Sequence, residues 1–440
     1  MQRLYGILTV LGALLLTACS DKDSFSASKS NLLTLPLDTL KMDTLFSNVP
    51  SSTYSFWLLN RSGDGIRIAN ARLERGSQSG FRVNIDGTFL NPIVHSLEVR
   101  EGDSIRVFVE ATTTTTHSDT PQLVEDNLLL TLESGITQRI CLRTWSWDAI
   151  MLGSLTVGRD TTIESARPIV IGDSLVVAQG ARLTLRNSQL YFHDGASLTV
   201  NGELDAQQTL FRGDRLDHMF DYLPYDRISG QWQGITLRGA DAHHLLTDCE
   251  IRNATVAVSC DSTRLTISGT TVHNSKGHGL SASNSEIVIS HCQLTNSLGD
   301  CLHLEGGTTT IDHTTLAQFY PFSASRGAAI RFVSSSTDLH LDCSSTLVTG
   351  YEADVLMGEQ RDTLRLFDYH FADCILRTDS VDDSIHFERI VWETPKDSVQ
   401  GKQHFRNIDE DNLYYDFTID SVSPAFPLGI GCTERKRTTP

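Results

Sequence analysis

The sequence has a deficit of positive charge. Its 440 residues include 36 lysines and arginines against 54 aspartates and glutamates, a formal net charge of −18. Such a chain repels phosphate backbones and anionic lipid surfaces, which argues against nucleic-acid partners. Proline is scarce, with 11 residues, and no long stretch shows helical periodicity. Because threonine, serine and glycine are abundant, the composition predicts an all-β protein.

Metal-binding patterns are also missing. The nine cysteines include no Cys-x-x-Cys pair and no zinc-type alternation with histidine. A calcium site would need carboxylates on successive turns of the fold. Asp241, Asp248 and Glu250 lie close in sequence but start no such series. We therefore predict no metal or other cofactor, with calcium kept only as an open alternative.

The N-terminal apolar run, within residues 1–19, is too short to span a bilayer. It follows Arg3 and ends in Leu16-Thr17-Ala18-Cys19. These residues resemble the lipobox of bacterial lipoprotein signal peptides, which implies cleavage before Cys19 and lipidation of that cysteine. Acyl chains on Cys19 would then hold the protein on a membrane.

Residues 20–35 predict a flexible tether, because they begin with small and polar side chains. The start of this segment, Ser20-Asp21-Lys22-Asp23, resembles the acidic signal that directs lipoproteins of Bacteroides-type bacteria to the cell surface. The resemblance implies an outer-membrane lipoprotein exposed on the cell surface. A solvated tether with acids in it by chance is the alternative.

Residues 36–150 predict a β-sandwich. About seven short alternating strands follow one another here, separated by turn signals such as Asp86-Gly87. Seven strands in roughly 110 residues are typical of an immunoglobulin-like domain.

A repeat of about 22 residues dominates the next part of the chain, residues 160–375. Such a period with short strands predicts a parallel β-helix in which each coil stacks on the last. Residues 376–440 are expected to supply closing coils and a cap over the last coil. The repeat is marked by aliphatics at Leu246, Ile267, Ile289 and Ile311, by a second strand at Val258, Leu280 and Leu302, and by amides at Asn253, Asn274 and Asn296. We expect the amides to form a ladder, each donating to the next coil.

Two segments carry a family resemblance. The stretch 195–204, Gly-Ala-Ser-Leu-Thr-Val-Asn-Gly-Glu-Leu, resembles the first coils of bacterial right-handed β-helix surface proteins of the pectate-lyase-like superfamily. Residues 211–217 followed by 230–235 resemble a family of Bacteroidales lipoproteins with an N-terminal immunoglobulin-like sandwich and a C-terminal β-helix. The resemblance implies a fold and a location, and no defined activity.

The segment 212–230 interrupts the coils and is rich in charged and aromatic residues. Inserts in β-helices project as loops, and loops often carry function. We predict a ligand-facing patch there. The alternative is structural, with the tryptophan closing the coil interior and the first two charges paired locally. The patch comprises Asp214, Arg215, Tyr222, Tyr225 and Trp232.

Two motifs resemble the catalytic region of polygalacturonases, which are right-handed β-helices. They are Gly277-His278-Gly279 and Gly299-Asp300, and the resemblance implies His278 and Asp300 as candidates for acid–base chemistry. However, the aspartate motif follows the histidine motif instead of preceding it, and its second aspartate is missing. The alternative is that glycine is needed at this repeat position for backbone reasons.

These observations favour a membrane-anchored lipoprotein whose β-helix binds a polysaccharide or a surface protein without catalysis. The alternative function is enzymatic, a polysaccharide lyase or glycoside hydrolase acting on an acidic polysaccharide.

Overall fold

The computed structural model describes residues 24–220, 222–393 and 401–433. Cys19 and the acidic signal after it lie outside the described residues. The chain divides into two units, Met1–Trp147 and Asp148–Pro440. Among the described residues, no helix is long and apolar enough to cross a membrane.

The first unit is a two-sheet sandwich. Its strands form two five-stranded sheets, in the orders β1-β3-β8-β5-β6 and β2-β10-β9-β4-β7. The strands are β1 (Leu33–Thr34), β2 (Thr39–Phe46), β3 (Tyr54–Asn60), β4 (Ile66–Leu73), β5 (Phe81–Ile85), β6 (Thr88–Phe89), β7 (Ile93–Val99), β8 (Ser104–Ala111), β9 (Gln122–Leu132) and β10 (Thr137–Trp147).

Alternation of apolar and polar residues explains this sandwich. In β8, Ile105, Val107 and Val109 are buried, whereas Arg106 between them is exposed. Successive side chains of a strand point to opposite faces, so each sheet presents one apolar face to the other. The inner faces share one core that includes Leu58, Ile68, Leu128 and Ile140.

The second unit contains a 26-stranded parallel sheet wound into coils. Its strands are β11 (Ile150–Val157), β12 (Thr161–Glu164), β13 (Ile169–Val177), β14 (Arg182–Arg186), β15 (Gln189–Phe192), β16 (Ser197–Val200), β17 (Glu203–Gln207), β18 (Leu210–Gly213), β21 (Gly234–Arg238), β22 (His243–Thr247), β23 (Glu250–Arg252), β24 (Val258–Asp261), β25 (Arg264–Ser268), β26 (Thr271–Ser275), β27 (Leu280–Ser290), β28 (Gln293–Ser297), β29 (Leu302–Asp312), β30 (Thr315–Gln318), β31 (Ile330–Ser334), β32 (Leu339–Ser344), β33 (Leu347–Gly350), β34 (Leu356–Gln360), β35 (Phe367–Ala372), β36 (Ile375–Leu376), β37 (Phe387–Glu388) and β38 (Val391–Trp392).

Each coil contributes to three faces. Face A contains β16, β21, β24, β31 and β34, face B contains β14, β17, β22, β25, β32 and β35, and face C contains β15, β18, β23, β26, β28, β30, β33 and β36. The long strands β27 and β29 run through face A and then face B. The parallel sheet starts at Ile150, before the expected limit of 160. It ends at Trp392, within the segment 376–440 that was expected to supply closing coils.

The stacked interior confirms the central prediction. Ile267 pairs with Ile289, and Ile289 pairs with Ile311, in neighbouring parallel strands. All three side chains are fully buried. The second predicted series also stacks, because Val258 pairs with Leu280 and Leu280 with Leu302. The all-β, β-helical fold class is therefore correct.

The corner between faces B and C explains why cysteine recurs in the repeat. Cys249, Thr270, Cys292 and Thr314 occupy equivalent buried positions, and each side chain donates to the carbonyl two residues earlier. A thiol or a hydroxyl serves equally here, because the corner needs a small donor. The eight cysteines among the described residues are free.

The predicted hydrogen-bonded ladder of asparagines is wrong. Asn253, Asn274 and Asn296 do recur at the end of face C, with φ of 63°, 61° and 52°. Among the described residues, however, no hydrogen bond joins one of these amides to the next. Asn253 Nδ2 donates to the carbonyls of Asp226 and Ile228, and Asn296 Oδ1 accepts from the Phe319 N–H. Asparagine recurs because it tolerates a left-handed backbone.

The prediction that the C-terminal segment caps the last coil is also wrong. Residues 401–433 contain the antiparallel hairpin β39 (Phe405–Asp409) and β40 (Tyr414–Ile419) and the one-turn helix α1 (Ala425–Leu428). Instead of capping the last coil, this segment packs on the outer side of face C. Phe405, Phe417 and Ile419 share a core with outward-facing Leu347 and Ile375. Those outward apolar side chains need a cover, which is why the segment lies on the flank.

One lateral insert leaves the coils between face C and face A. Residues 214–233 join β18 to β21 and include the short strands β19 (His218–Phe220) and β20 (Leu223–Pro224). The insert and the C-terminal hairpin both lie beside the early strands of face C, where they create a groove.

Candidate functional site

The groove has three walls. Its floor is the outer side of face C, including Thr271, His273 and Gln293. One bank is the lateral insert, through Asp226 and Arg227, and the other bank is the hairpin. The groove encloses a volume of about 270 Å³. An Arg227 Nη1 hydrogen bond to the Asn412 carbonyl joins the two banks.

Aromatic rings form the hairpin bank. Tyr415 and Phe417 stack with ring centres 5.9 Å apart, and the His273 ring lies 6.0 Å from Phe417. Tyr414 also lines the groove and is 47% exposed. The groove therefore presents flat apolar surfaces next to polar ones.

A charge network supports the insert bank. The Asp226 carboxylate forms ion pairs with Arg212 at 2.8 Å and with Arg252 at 3.1 Å. Burial acts to raise the pKa of Asp226, but the two guanidinium groups outweigh it and hold the pKa below its usual range. Arg212 is itself buried, and burial lowers its pKa. This network fixes the loop that carries Asp226 against face C.

Besides Asp226, whose Oδ1 forms the ion pair with Arg212, three residues that line the groove each carry a buried polar atom with no hydrogen-bond partner among the described residues. These atoms are Asn274 Nδ2, Arg252 Nε and Tyr415 Oη. Asn274 is only 3% exposed, and burial raises the pKa of Tyr415. A buried polar group without a partner costs about 1–3 kcal/mol, so these atoms are the least satisfied polar groups around the groove.

The predicted patch on the insert is only partly reproduced. Trp232 is a correction, because it is fully buried, stacks on Phe192 at 4.3 Å and donates from Nε1 to the Arg252 carbonyl. It closes the coil interior and faces no ligand. Tyr222 is 75% exposed and stacks on Phe220.

Asp214 and Arg215 are held by local partners. His193 Nδ1 lies 2.8 Å from Asp214 Oδ2. Arg215 forms a two-pronged ion pair with Asp217, both contacts 2.7 Å, and its guanidinium lies 3.9 Å from the centre of the Tyr225 ring. Asp226 and Arg227 of the same segment, which sequence reasoning missed, reach the groove instead.

The other candidates, His278 and Asp300, do come together. They form a cluster with His303 and Arg331, two residues that sequence reasoning did not assign a role. Asp300 Oδ2 lies 2.9 Å from His303 Nδ1, 3.0 Å from Arg331 Nε and 3.5 Å from His278 Nδ1. Asp300 Oδ1 accepts from the Ala328 N–H at 2.8 Å. The shared period of His303 and Arg331 on face A was the available signal, since the two residues pair directly.

The hydrogen bonds of this cluster fix its tautomers. His278 Nδ1 accepts the Asp300 backbone N–H at 3.0 Å, so its Nε2 carries a proton when the ring is neutral. His303 donates from Nδ1 to an acceptor-only carboxylate, which leaves its Nε2 as an acceptor. The two rings lie 4.5 Å apart.

The pKa values of the cluster follow from burial and charge. Burial acts to raise the pKa of Asp300, but contacts from His303, Ala328 and Arg331 outweigh it and lower the pKa. Burial and then the neighbouring His303 lower the pKa of His278. Asp300 therefore stays ionised while His278 stays neutral near neutral pH.

A metal ion fits this cluster poorly. His278, Asp300 and His303 offer ligand atoms within 4.8 Å of one another. Arg331 Nε already contacts both oxygens of Asp300, at 3.2 Å and 3.0 Å. A cation would have to displace this guanidinium, and His278 Nδ1, the nitrogen that faces Asp300, already accepts the Asp300 backbone N–H.

The glycines beside the cluster have a backbone role. A Cβ on Gly299 would lie 2.9 Å from the Gly277 carbonyl, and one on Gly327 would lie 2.3 Å from Gly299. Successive coils approach too closely here for any other side chain. Packing therefore accounts for the glycines of these motifs, while the Asp300 carboxylate holds three coils together.

Residues 153–342 match the family described as right handed beta helix region. This match agrees with the coils described above, and no curated protein matches the chain. Among solved structures, one similar chain is a family 123 glycoside hydrolase from Clostridium perfringens, from work on glycolipid glycan hydrolysis. It shares 8% identity with a TM-score of 0.19, over 27% of this chain and 26% of that chain. This chain thus matches about a quarter of that protein's length, and so low a score carries no argument.

Proposed function

We propose that the groove between the lateral insert and the C-terminal hairpin binds a glycan without cleaving it. The observation that carries this proposal is Asn274 Nδ2, a buried donor without a partner that lines a groove walled by aromatic rings. A surface protein or peptide is the other ligand class considered for the β-helix.

The chemistry of the groove suits a sugar ring. The C–H faces of a pyranose pack on flat rings such as Tyr414 and Tyr415, and its hydroxyls pair with amide and carboxylate groups. Asn274 Nδ2 supplies a donor, and Tyr415 Oη supplies a donor and an acceptor. A volume near 270 Å³ is at the small end of ligand sites, which suits one or two sugar units of a longer chain.

The test is Asn274→Asp, measured by affinity electrophoresis against neutral and acidic polysaccharides. The change keeps the shape and the left-handed backbone but replaces the donor with an acceptor. We expect about 1–3 kcal/mol of lost binding, or roughly 5- to 150-fold. The matched control is Asn284→Asp, an exposed asparagine with φ 45°, which should bind as the wild type does. Equal retardation of both variants would contradict the proposal.

We further propose that lipidated Cys19 anchors the protein to the outer membrane, with the groove exposed at the cell surface. The support is the sequence alone, through the lipobox and the acidic residues after it. Metabolic labelling with a fatty acid tests the anchor, and Cys19→Ala should abolish it. Proteolysis of intact cells tests the exposure, since a protein facing the periplasm would survive.

We also propose that the first unit is immunoglobulin-like, as in the Bacteroidales lipoproteins that the sequence resembles. Its strand order supports this. Taking β1, β3, β4, β5, β8, β9 and β10 as strands A to G gives sheets ABED and GFC, the arrangement of a constant-type immunoglobulin domain.

A second candidate function is enzymatic, and the His303–Asp300 pair is what favours it. Asp300 orients His303 so that Nε2 is available as a base, and Arg331 places a cation beside it. This arrangement suits proton abstraction next to a carboxylate, as in a lyase acting on an acidic polysaccharide. None of these residues lines the groove, which favours binding.

His303→Gln tests the enzymatic candidate on a panel of uronate polysaccharides. Unsaturated products absorbing in the ultraviolet, released by the wild type and lost in His303→Gln, would establish a lyase. The control is His340→Gln, since His340 pairs with Asp368 at 3.1 Å on the exposed side of face B. If the wild type releases no new polysaccharide chain ends, the enzymatic candidate is contradicted.

A further inference from the structure

The outward face of the sheet β1-β3-β8-β5-β6 carries aromatic rings and arginines where short polar residues are usual. One row across the sheet pairs Ser55 with Phe108, Phe108 with Asn84, and Asn84 with Phe89. Phe89 is 57% exposed. In the next row Trp57, 48% exposed, pairs with Arg106.

The arginines of this face are stacked on the rings. The Arg106 guanidinium lies 5.3 Å from the Trp57 ring centre and 5.0 Å from that of Phe108. The Arg82 guanidinium lies 5.7 Å from the Phe89 ring centre. Arg106 Nε and Nη2 also donate to Ser55 Oγ, at 3.3 Å and 2.9 Å. Such stacking orients a guanidinium and leaves its remaining N–H groups able to bind an anion.

Neither guanidinium has a carboxylate within 4.0 Å among residues 24–220, 222–393 and 401–433. In the other sheet of the same unit, Arg67, Arg139 and Arg143 each contact a glutamate. Carboxylates outnumber basic residues by 54 to 36 in this chain, so an arginine without a carboxylate partner is unexpected. Glu110 lies opposite Arg82 in the register of β5 and β8, but its Oε1 accepts the Thr53 hydroxyl at 2.7 Å.

A hollow lies between the rings. It encloses about 290 Å³ and is lined by Phe89, Phe108, Asn84, Arg82 and Glu110, among others. Asn84 Oδ1 is buried and has no hydrogen-bond partner among the described residues. The hollow thus offers a free acceptor, a cation and two apolar ring faces.

We propose that this hollow binds a uronate unit of an acidic saccharide. The sugar ring packs on Phe89 and Phe108, its carboxylate pairs with Arg82, and one hydroxyl donates to Asn84 Oδ1. Arg106 supplies a second positive charge for the neighbouring unit. This site is separate from the groove on face C, and it does not depend on that groove.

The test is calorimetric titration of the full chain with an oligosaccharide of glucuronate and with its uncharged methyl ester. We expect the acid to bind about tenfold or more tightly than the ester, with an affinity that falls as salt rises. Arg82→Gln should remove the preference for the acid. Phe89→Ala should weaken both ligands. Trp145→Ala, which removes an exposed tryptophan from the other sheet, should change nothing.

Three results would overturn the proposal. They are no binding of the acid by the wild type, equal binding of acid and ester, or full binding by Arg82→Gln. Asn274→Asp separates this site from the groove. If the Asn274→Asp variant still binds the acid, the sandwich site is supported. If Asn274→Asp loses binding of the acid while Arg82→Gln keeps it, the acid binds in the groove and the proposal is contradicted.

Discussion

At the scale of single residues, position within the coil decides what each side chain does. Cys249 and Cys292 act as small corner donors, and their neighbours Thr270 and Thr314 do the same with a hydroxyl. The repeat of about 22 residues places these four residues at equivalent positions. It did not predict Trp232 in the coil interior, because an insert carries no period from which to read its side-chain directions.

The buried thiols should be unreactive in the folded protein. Burial raises the pKa of Cys249, Cys260, Cys292 and Cys301 to about 12, so little thiolate forms at mildly alkaline pH. Alkylation with iodoacetamide, followed by mass spectrometry, should label these cysteines only after denaturation. Half-buried Cys141 serves as the internal comparison and should react first. Rapid labelling of the four in the native state would contradict the described packing.

Truncating one side chain of the stacked core should lower the stability of the fold. Ile289→Ala should lower the free energy of unfolding by about 2–5 kcal/mol, because Ile289 lies fully buried between Ile267 and Ile311. Val288→Ala, on the outward side of the same strand and 38% exposed, should cost under about 1 kcal/mol. Urea unfolding measures both, and equal losses would argue against the stacked interior.

At the scale of elements, the C-terminal hairpin is the part that sequence reasoning placed wrongly. The signal was present in face C, where Leu347-Val348 and Ile375-Leu376 put apolar residues on both sides of the strand. Such strands are buried on both faces, so a covering element was required. Which element covers them is decided by contacts far apart in sequence, and no local pattern records those.

A buried polar network fixes this segment. Glu393 accepts from His404 at 2.7 Å and from Thr349 at 3.0 Å, and the other ring nitrogen of His404 lies 2.8 Å from Ser423 Oγ. Burial acts to raise the pKa of Glu393, but the contact with His404 outweighs it and lowers the pKa. The ionised carboxylate is therefore more stable in the folded protein than in the unfolded one.

The stability from Glu393 should depend on pH. Because the folded pKa is depressed, the contribution is present above the ordinary value of 4.5 and is lost as pH falls through the folded pKa. Glu393→Gln should lose roughly 1–3 kcal/mol near neutral pH, and the difference from the wild type should shrink on acidification. Thermal unfolding across pH measures this. Exposed Glu388→Gln is the control, and a difference that grows in acid would contradict the assignment.

At the scale of the whole molecule, the coils are a scaffold, and the additions to them form the groove. The period, the stacked interior and the sandwich could be read from the sequence, because each depends on alternation or repetition within short segments. The groove could not, because it forms where residues near 226, 274 and 415 meet. The pairing of His303 with Arg331 was harder to read, because an insertion lengthens the repeat between their two coils.

The most direct measurement of the central claim follows the side-chain amide of Asn274 by nuclear magnetic resonance during glycan titration. Selective asparagine labelling gives the signal, and its loss in Asn274→Asp assigns it. We predict that a glycan retained in affinity electrophoresis shifts the Asn274 amide, leaves the Asn284 amide unchanged and stays intact. An unshifted Asn274 amide at saturating glycan, or release of cleaved products, would contradict the claim.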